Sequence, residues 1–343
     1  MNSKDFFGLL KEDLRQNCFI FEGDEEYLKQ SALLSLKEKI IKPPFGDINY
    51  SVLEDPDDKQ LISLCETLPL MADKRLIVVK DSRFIQEGVG KSKTPKQQEN
   101  LSKYLENLSS SSVLVFYCKG KSTGNKKIVK QIKKNGGQVI FDSLSEASLI
   151  KWIARELKKY GKKTDSQTAQ YLLFICGSDM TVLSNELAKA ALVDISSDVL
   201  TKRDIDLICT KTREYRVFDL SEQVAAGESA NAVRLMNGLI EDGEARLLLL
   251  SLLQRQYRQM LFAKILKEAS KQNSYMAQVL GVPPFVVAKL LKTTENYSVS
   301  DLKKAYKMLI DSEYSVKSGE MPELGSLESA VYRLLVLKNN KVS

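Results

Sequence analysis

The sequence predicts an α/β domain followed by two helical domains. Over the first 142 residues, short and almost continuously apolar runs alternate with segments of helical spacing. After Asp142 the strand pattern stops, and only helical periodicity continues. Strands that are apolar on both faces and separated by helices are typical of a parallel sheet covered on both sides. We therefore expect an N-terminal parallel sheet of about five strands.

Five apolar runs are the predicted strands of this sheet. They cover residues 18–21, 48–53, 76–79, 113–117 and 139–141. The helices predicted between them cover residues 27–41, 58–68, 98–108 and 126–134. A connection between parallel strands needs a crossover of this kind, which is usually a helix.

The helical part of the chain divides into two predicted domains. The smaller domain contains amphipathic helices predicted at 148–160, 165–175, 181–192 and 201–209. Gly161 and Gly177 stand where two of these helices should end. In the last domain, the predicted helix 245–271 begins with a leucine-rich stretch and is apolar nearly all round, as expected for the middle of a bundle. The predicted domain boundaries are 1–142, 143–210 and 211–343.

Composition and charge exclude several classes of protein. The 343 residues are 43% hydrophobic and 28% charged, with a net charge of +7, as in a globular protein that tolerates an anionic partner. No apolar run approaches the roughly 18 residues of a membrane span. The first residues show no long apolar region, so we expect no signal peptide and a cytoplasmic location.

The chain contains no histidine, which excludes catalytic triads, an imidazole general base and histidine-ligated metals. Its cysteines are far apart, with no CxxC pair, so we expect buried small side chains rather than structural zinc, a disulfide framework or any other metal site. They are Cys18, Cys65, Cys118, Cys176 and Cys209. No cofactor is expected.

The turn after the first strand is where a nucleotide-binding domain would place its phosphate loop. Gly23 and Lys29 fit the G-x-x-x-x-G-K-[ST] pattern, but Leu28 replaces the second glycine and Gln30 replaces the magnesium-binding hydroxyl. Three carboxylates, at residues 24–26, would repel phosphate. We expect a degenerate loop that binds no ATP, with an acidic helix start stabilised by the helix dipole.

The third strand carries a second defect. Lys80 and Asp81 follow its apolar run, so a lysine occupies the position of the metal-binding Asp, and no catalytic Glu follows. The stretch Gly120–Thr123 imitates the end of a phosphate loop, but Val115 stands where the first glycine would be needed. A working nucleotide hydrolase is therefore not expected.

Two further segments suggest contacts with nucleic acid. Residues 119–134 contain seven lysines and no acid, which indicates either a solvated face or a phosphate-contacting patch. The predicted DNA-contact residues are Lys119, Lys121, Lys126 and Lys127. Residues 277–287 have the spacing of a helix-turn-helix, but Phe285 and the valines after it suit packing better than base recognition.

The connection before the third strand is unusually apolar for a surface loop. It contains Leu68, Leu70 and Met71, with Pro69 restricting the backbone between them. Either Leu70 and Met71 tuck under the edge of the sheet, or they form an exposed anchor for a pocket on a partner.

Four segments together resemble the delta subunit family of the bacterial DNA polymerase III clamp loader. These segments are residues 21–28, 68–81, 177–186 and 280–285, and the resemblance extends over nearly the whole chain. The resemblance implies an AAA+-like α/β domain without nucleotide binding, a small helical domain and a helical collar that joins a ring. It also implies that Leu70 and Met71 insert into a hydrophobic pocket on the sliding clamp. Met71 departs from the family pattern, in which this position is often aromatic, but it keeps an apolar anchor.

The function implied by the resemblance is mechanical and non-catalytic. The partners would be the sliding clamp (the beta subunit), the clamp-loader ATPase subunits, a delta-prime-like subunit and primed DNA, within a polymerase holoenzyme. Two alternatives stay open: a nucleotide-dependent AAA+ ATPase with an atypical loop, and a DNA-binding regulator built on residues 277–291.

Overall fold

The computed structural model describes residues 1–12, 14, 16–43, 46–86, 93–123, 126–194 and 196–339. The chain separates into two compact units, Met1–Leu149 and Ile150–Ser343. This division falls close to the end of the predicted α/β domain. The predicted boundary between residues 210 and 211 lies inside the second unit and stays a prediction.

The first unit is built on a five-stranded parallel sheet, as predicted. Its strands are β1 (Cys18–Glu22), β2 (Tyr50–Glu54), β3 (Arg75–Lys80), β4 (Ser112–Tyr117) and β5 (Gln138–Ile140). Their order across the sheet is β2-β3-β4-β1-β5, and every neighbouring pair is parallel. Because the strands are parallel, the carboxyl ends of β1, β3 and β4 meet at one edge of the sheet.

Helices cover the sheet, and their bounds follow the predicted segments closely. The helices of the first unit are α1 (Ser3–Leu9), α2 (Glu26–Ile40), α3 (Asp58–Glu66), α4 (Pro95–Glu106) and α5 (Lys127–Lys134). The helix α1 was not predicted because it has only seven residues, too few to show an apolar period. It buries Phe6, whose ring meets Phe19 and Phe21 edge-on at 5.5 and 5.0 Å between centroids.

The start of β2 differs from the predicted strand at residues 48–53. A 3₁₀ turn at Gly46–Asn49 precedes the strand, which begins at Tyr50. The difference has a physical cause: the Asn49 side chain is buried and hydrogen-bonded to the backbone of a distant loop. The apolar run therefore includes two residues that belong to a turn.

The regular elements of the second unit are all helices within its described residues, and one isolated parallel bridge joins Lys163 and Val199. Its helices are α6 (Glu146–Lys158, which begins in the first unit), α7 (Ser166–Cys176), α8 (Met180–Ala191), α9 (Lys202–Ile208), α10 (Arg213–Ala226), α11 (Ser229–Glu241), α12 (Arg246–Glu268), α13 (Asn273–Leu280), α14 (Pro284–Thr293), α15 (Val299–Lys317) and α16 (Ser326–Asn339). Gly177 ends α7 with φ +79°, and Gly161 follows α6 with φ +69°, as their positions predicted.

The long helix α12 runs through the main core of the second unit. It packs against α10, α14, α15 and α16. Leu249, Leu250 and Leu253 are buried, but Leu248 is exposed, so the expectation of a helix buried all round was wrong at this position. The helix therefore keeps part of its apolar surface in solvent.

Within the described residues, no single helix is both long and apolar enough to cross a membrane. The helices α13 and α14, bent by 96° at the break between them, meet the length and composition requirement only when counted together.

Candidate functional site

The loop between α3 and β3, residues 67–74, presents apolar side chains to solvent; we call it the tip loop. Leu68 and Met71 are each 79% exposed and Leu70 is 49% exposed. The alternative in which Leu70 and Met71 tuck under the sheet edge therefore does not describe this structure. Apolar side chains so close together in solvent mark a surface suited to a partner's pocket.

Asn49 fixes the backbone of the tip loop from below. Its Oδ1 accepts a hydrogen bond from the Leu70 N–H at 2.8 Å, and its Nδ2 donates to the Leu70 carbonyl oxygen at 2.9 Å. Asn49 itself is only 2% exposed, so the amide end of both bonds is shielded from water. One buried amide thus satisfies both polar groups of the residue that carries the apolar side chain.

Arg75, the first residue of β3, connects the two ends of the tip loop. Its Nη1 donates to the Thr67 carbonyl oxygen at 2.9 Å, and its own N–H donates to the Ser111 carbonyl oxygen at 2.8 Å. Met71 has φ +48°, a left-handed conformation that is uncommon for a residue other than glycine. The tip loop is thus anchored to neighbouring elements by hydrogen bonds at Thr67 and Leu70.

The degenerate phosphate loop is closed by the protein's own backbone. Gly23 has φ +118°, and a Cβ there would lie 2.2 Å from the Phe141 carbonyl oxygen, so only glycine fits. The Gly23 N–H donates to the Gly120 carbonyl oxygen at 2.8 Å, and the Glu25 N–H donates to that of Phe141 at 2.9 Å. A phosphate loop needs such N–H groups for its ligand, but here these two bond to protein oxygens.

Lys29, the lysine of the phosphate-loop pattern, is held inside the fold. Its side chain is 2% exposed, and Nζ donates to the Cys118 carbonyl oxygen at 2.9 Å while pairing with Glu26 Oε2 at 2.9 Å. Leu28 is buried in the core, and Gln30 Nε2 donates to Glu26 Oε1 at 3.1 Å. All three residues therefore have structural partners.

Glu26 is the acceptor at the centre of this arrangement. Burial works to raise its pKa, but hydrogen bonds from Tyr117, Lys29 and Gln30 outweigh burial and hold that pKa below its usual range. The Tyr117 hydroxyl donates to Glu26 at 2.5 Å, and burial together with this bond raises the pKa of Tyr117. The negative charge of Glu26 is thereby kept where a nucleotide would need a positive one.

Within the described residues, the carboxyl end of β3 does not present the Asp and Glu that a nucleotide hydrolase would use there. Lys80 is exposed and lies in register with Tyr117 of β4 and Glu54 of β2. Asp81, with φ +50°, accepts from Lys119 Nζ at 2.8 Å. The carboxylate that directly follows Lys80 in the sequence is thus already paired with a lysine.

A cavity of about 340 Å³ opens beside α2 at this edge of the sheet. Glu26, Lys37, Tyr50 and Lys80 are among its lining residues, whereas Gly23 and Lys29 are not. The cavity therefore borders the phosphate-loop pattern at Glu26 and Gln30 without including Gly23 or Lys29, and its one described carboxylate is the hydrogen-bonded Glu26.

The four predicted DNA-contact lysines have different environments. Lys119 pairs with Asp81, and Lys126 Nζ donates to the carbonyl oxygens of Arg83 and Gln86. Lys121 and Lys127 are exposed. Lys126 therefore has a structural role, whereas Lys119, whose side chain is 83% exposed despite its ion pair, remains as accessible to an external anion as Lys121 and Lys127.

The segment with helix-turn-helix spacing packs against other helices of the second unit. Phe285 at the start of α14 meets Phe174 of α7 edge-on at 5.4 Å between ring centroids, and Val286 and Val287 are buried. These residues cannot present base-reading groups in a groove while they occupy the core.

The sheet order, the closed phosphate loop and the helical second unit define an AAA+-like protein. The family model described as DNA polymerase III, delta subunit, matches residues 19–141, and the model described as its C-terminal domain matches residues 214–334. Because these two models together match more than two thirds of the sequence, the chain belongs to the family of DNA polymerase III delta subunits.

Individual relatives align with most or nearly all of the chain. The chain is 23% identical to DNA polymerase III subunit delta of Bacillus subtilis, over 98% of this chain and 97% of that protein. It is 24% identical to the probable DNA polymerase III subunit delta of Aquifex aeolicus, over 84% and 83%. The solved structure of the Bacillus subtilis DNA clamp loader delta protein has a similar fold, with a TM-score of 0.57 at 21% identity over 97% of this chain and 99% of that one.

Proposed function

We propose that this chain is the clamp-loader subunit that grips the sliding clamp and helps to open it for loading onto primed DNA. Leu70 and Met71 of the tip loop are the proposed clamp contacts. The observation that carries the proposal is the exposed apolar tip loop, anchored by hydrogen bonds to Asn49 and Arg75. Membership of the delta subunit family supports the same assignment.

The tip loop suits this role because its backbone is already hydrogen-bonded in the free protein, so that little conformational entropy remains to be lost when the clamp binds. Burying a leucine or methionine side chain in a pocket contributes about 1.5–3 kcal/mol. A loop whose backbone is already fixed loses little conformational entropy on binding. Clamp opening then follows if the subunit binds the open interface more tightly than the closed one, since that difference shifts the equilibrium.

We infer that the chain hydrolyses no ATP. The phosphate-loop lysine bonds to Glu26 and Cys118, two loop N–H groups bond to backbone carbonyls, and Lys80 occupies the metal position. In the holoenzyme, a DNA-directed DNA polymerase, hydrolysis by neighbouring subunits would decide when the tip loop is accessible.

The remaining partners are assigned to other surfaces. Residues 211–343 are proposed as the collar that joins the ATPase subunits and a delta-prime-like subunit in the cytoplasm. Exposed apolar side chains on α12 and α16, among them Phe262, Tyr332 and Val336, would serve such contacts. Lys119, Lys121 and Lys127 are the proposed contacts to primed DNA within the complex.

The direct test is capture of the cognate sliding clamp by the isolated chain without nucleotide. We expect a stable complex, because the tip loop is already exposed and ordered. Failure to bind the clamp would contradict the proposal. Saturable micromolar binding of Mg-ATP would favour the ATPase alternative, and salt-dependent binding of the isolated chain to duplex DNA would favour the regulator.

A further inference from the structure

Three potential metal ligands converge in the second unit, at residues that neither the tip loop nor the phosphate loop uses. Cys176, Glu186 and Cys209 place two thiol sulfurs and one carboxylate oxygen within 4.8 Å of one another. All three residues are buried. We call them the Cys–Glu–Cys cluster.

The three members of the cluster lie within or directly after three different helices. Cys176 is the last residue of α7, Glu186 lies in α8, and Cys209 directly follows α9. The cysteines are 33 positions apart along the sequence, which is why spacing alone argued against a zinc site. In the fold, however, the packing of three helices brings together residues that the sequence separates.

The carboxylate is held in place by its own partners. Glu186 Oε2 accepts from the Thr210 N–H at 3.0 Å and pairs with Lys189 Nζ at 2.8 Å. Both interactions are at the same oxygen. Such outer contacts are typical of ligating carboxylates, since they fix the ligand before the metal binds.

We propose that Cys176, Glu186 and Cys209 bind one Zn²⁺ ion. Two sulfurs and an oxygen are donors that zinc accepts, and they fill three of its four tetrahedral positions, leaving the fourth to water. Each thiol gives up its proton to solvent as the metal binds. Two thiolates and a carboxylate then carry three negative charges, which Zn²⁺ and the Lys189 ammonium balance. A bound ion would tie the ends of α7 and α9 to α8.

The test uses the full-length chain, stripped of metal with a chelator and then titrated with Zn²⁺ or Co²⁺. We expect about one tightly bound ion per chain, a thiolate-to-cobalt charge-transfer band, and protection of two thiols from alkylation when zinc is present. Cys176→Ser and Cys209→Ser should each weaken binding at least about tenfold. Cys18→Ser, which changes a cysteine outside the cluster, should leave metal binding unchanged.

If a variant fails to fold, the test can still be made on the unmodified chain, by comparing alkylation of its thiols with and without zinc. Equal metal content in Cys176→Ser and Cys18→Ser would overturn the proposal. So would a chain that binds no metal while both thiols are reduced. The other contrary result is a Cys176–Cys209 disulfide found by mass spectrometry after mild oxidation, with no metal bound under reducing conditions. That result would contradict the metal site and identify the two cysteines as a redox pair.

Discussion

Asn49 illustrates how one buried side chain can shape a surface that is proposed to bind a partner. Its amide carries one acceptor and two donors, and it bonds to both backbone polar groups of Leu70, 21 positions further along the chain. An alanine at position 49 would leave those two groups without their protein partner. In the proposed clamp contact, Asn49 is thus a positioning residue that would act through Leu70.

Asn49→Ala should weaken clamp binding although Asn49 itself is buried. Loss of a buried hydrogen-bond partner costs about 1–3 kcal/mol, and part of that cost should appear as loosening of the tip loop. We expect roughly tenfold weaker clamp binding, measured on the isolated chain. Ser102→Ala is the matched control, since it removes a buried hydrogen bond to Gln131 between α4 and α5. Equal clamp affinity in both variants would contradict the positioning role.

Glu26 gives a pH-dependent signature of the closed phosphate loop. Hydrogen bonds from Tyr117, Lys29 and Gln30 outweigh burial and keep its pKa low, so its contribution to stability is present above its unfolded pKa and is lost as pH falls through the folded pKa. Glu26→Gln should therefore be less stable than the unmodified chain at pH 7. The two stabilities, measured by urea unfolding, should converge below about pH 4. A constant difference across that range would show that the charge of Glu26 is not involved.

At the scale of elements, apolar runs predicted the strands well because a parallel sheet buries both faces of each strand. The strands β3 and β4 begin within one residue of the predicted starts. What the sequence could not predict depends on contacts between distant positions. The hydrogen bonds between Leu70 and Asn49, and the meeting of Cys176 with Cys209, arise only when separate elements pack.

The turn from β1 to α2 should bind no nucleotide. Its lysine is sealed inside the fold, two of its N–H groups donate to Gly120 and Phe141, and Gly23 lies against the Phe141 backbone. We expect isothermal titration of the isolated chain with Mg-ATP to show no saturable heat up to millimolar concentration. An ATPase subunit of the same complex, which should bind, is the positive control. Micromolar binding would show that the loop can open.

At the scale of the whole molecule, the proposed clamp contact and the proposed ring contact lie in different compact units. The tip loop is in the first unit, and the proposed collar belongs to the second. On α16, Tyr332 and Val336 are both exposed and four residues apart, so they share one face of the helix. Such a pair is suited to a neighbouring subunit.

Tyr332→Ala/Val336→Ala should reduce assembly with the ATPase subunits without changing clamp affinity. Size-exclusion chromatography of the mixed subunits would measure assembly. Tyr275→Ala/Val279→Ala is the matched control, since these residues of α13 are similarly exposed and have the same spacing. Normal assembly by the α16 variant, or an equal defect in the control, would remove α16 from the proposed interface.

The central claim is that the tip loop binds the sliding clamp. The most direct test is to measure both the clamp affinity and the thermal unfolding midpoint of the double variant Leu70→Ala/Met71→Ala. Two interface anchors lost together should weaken binding by about a hundredfold or more, while the midpoint stays unchanged because both side chains are exposed. Leu34→Ala/Val52→Ala, which removes two other exposed apolar side chains of the first unit, should leave both quantities unchanged. Unchanged clamp affinity in the tip variant, or a large fall in its midpoint, would contradict the account.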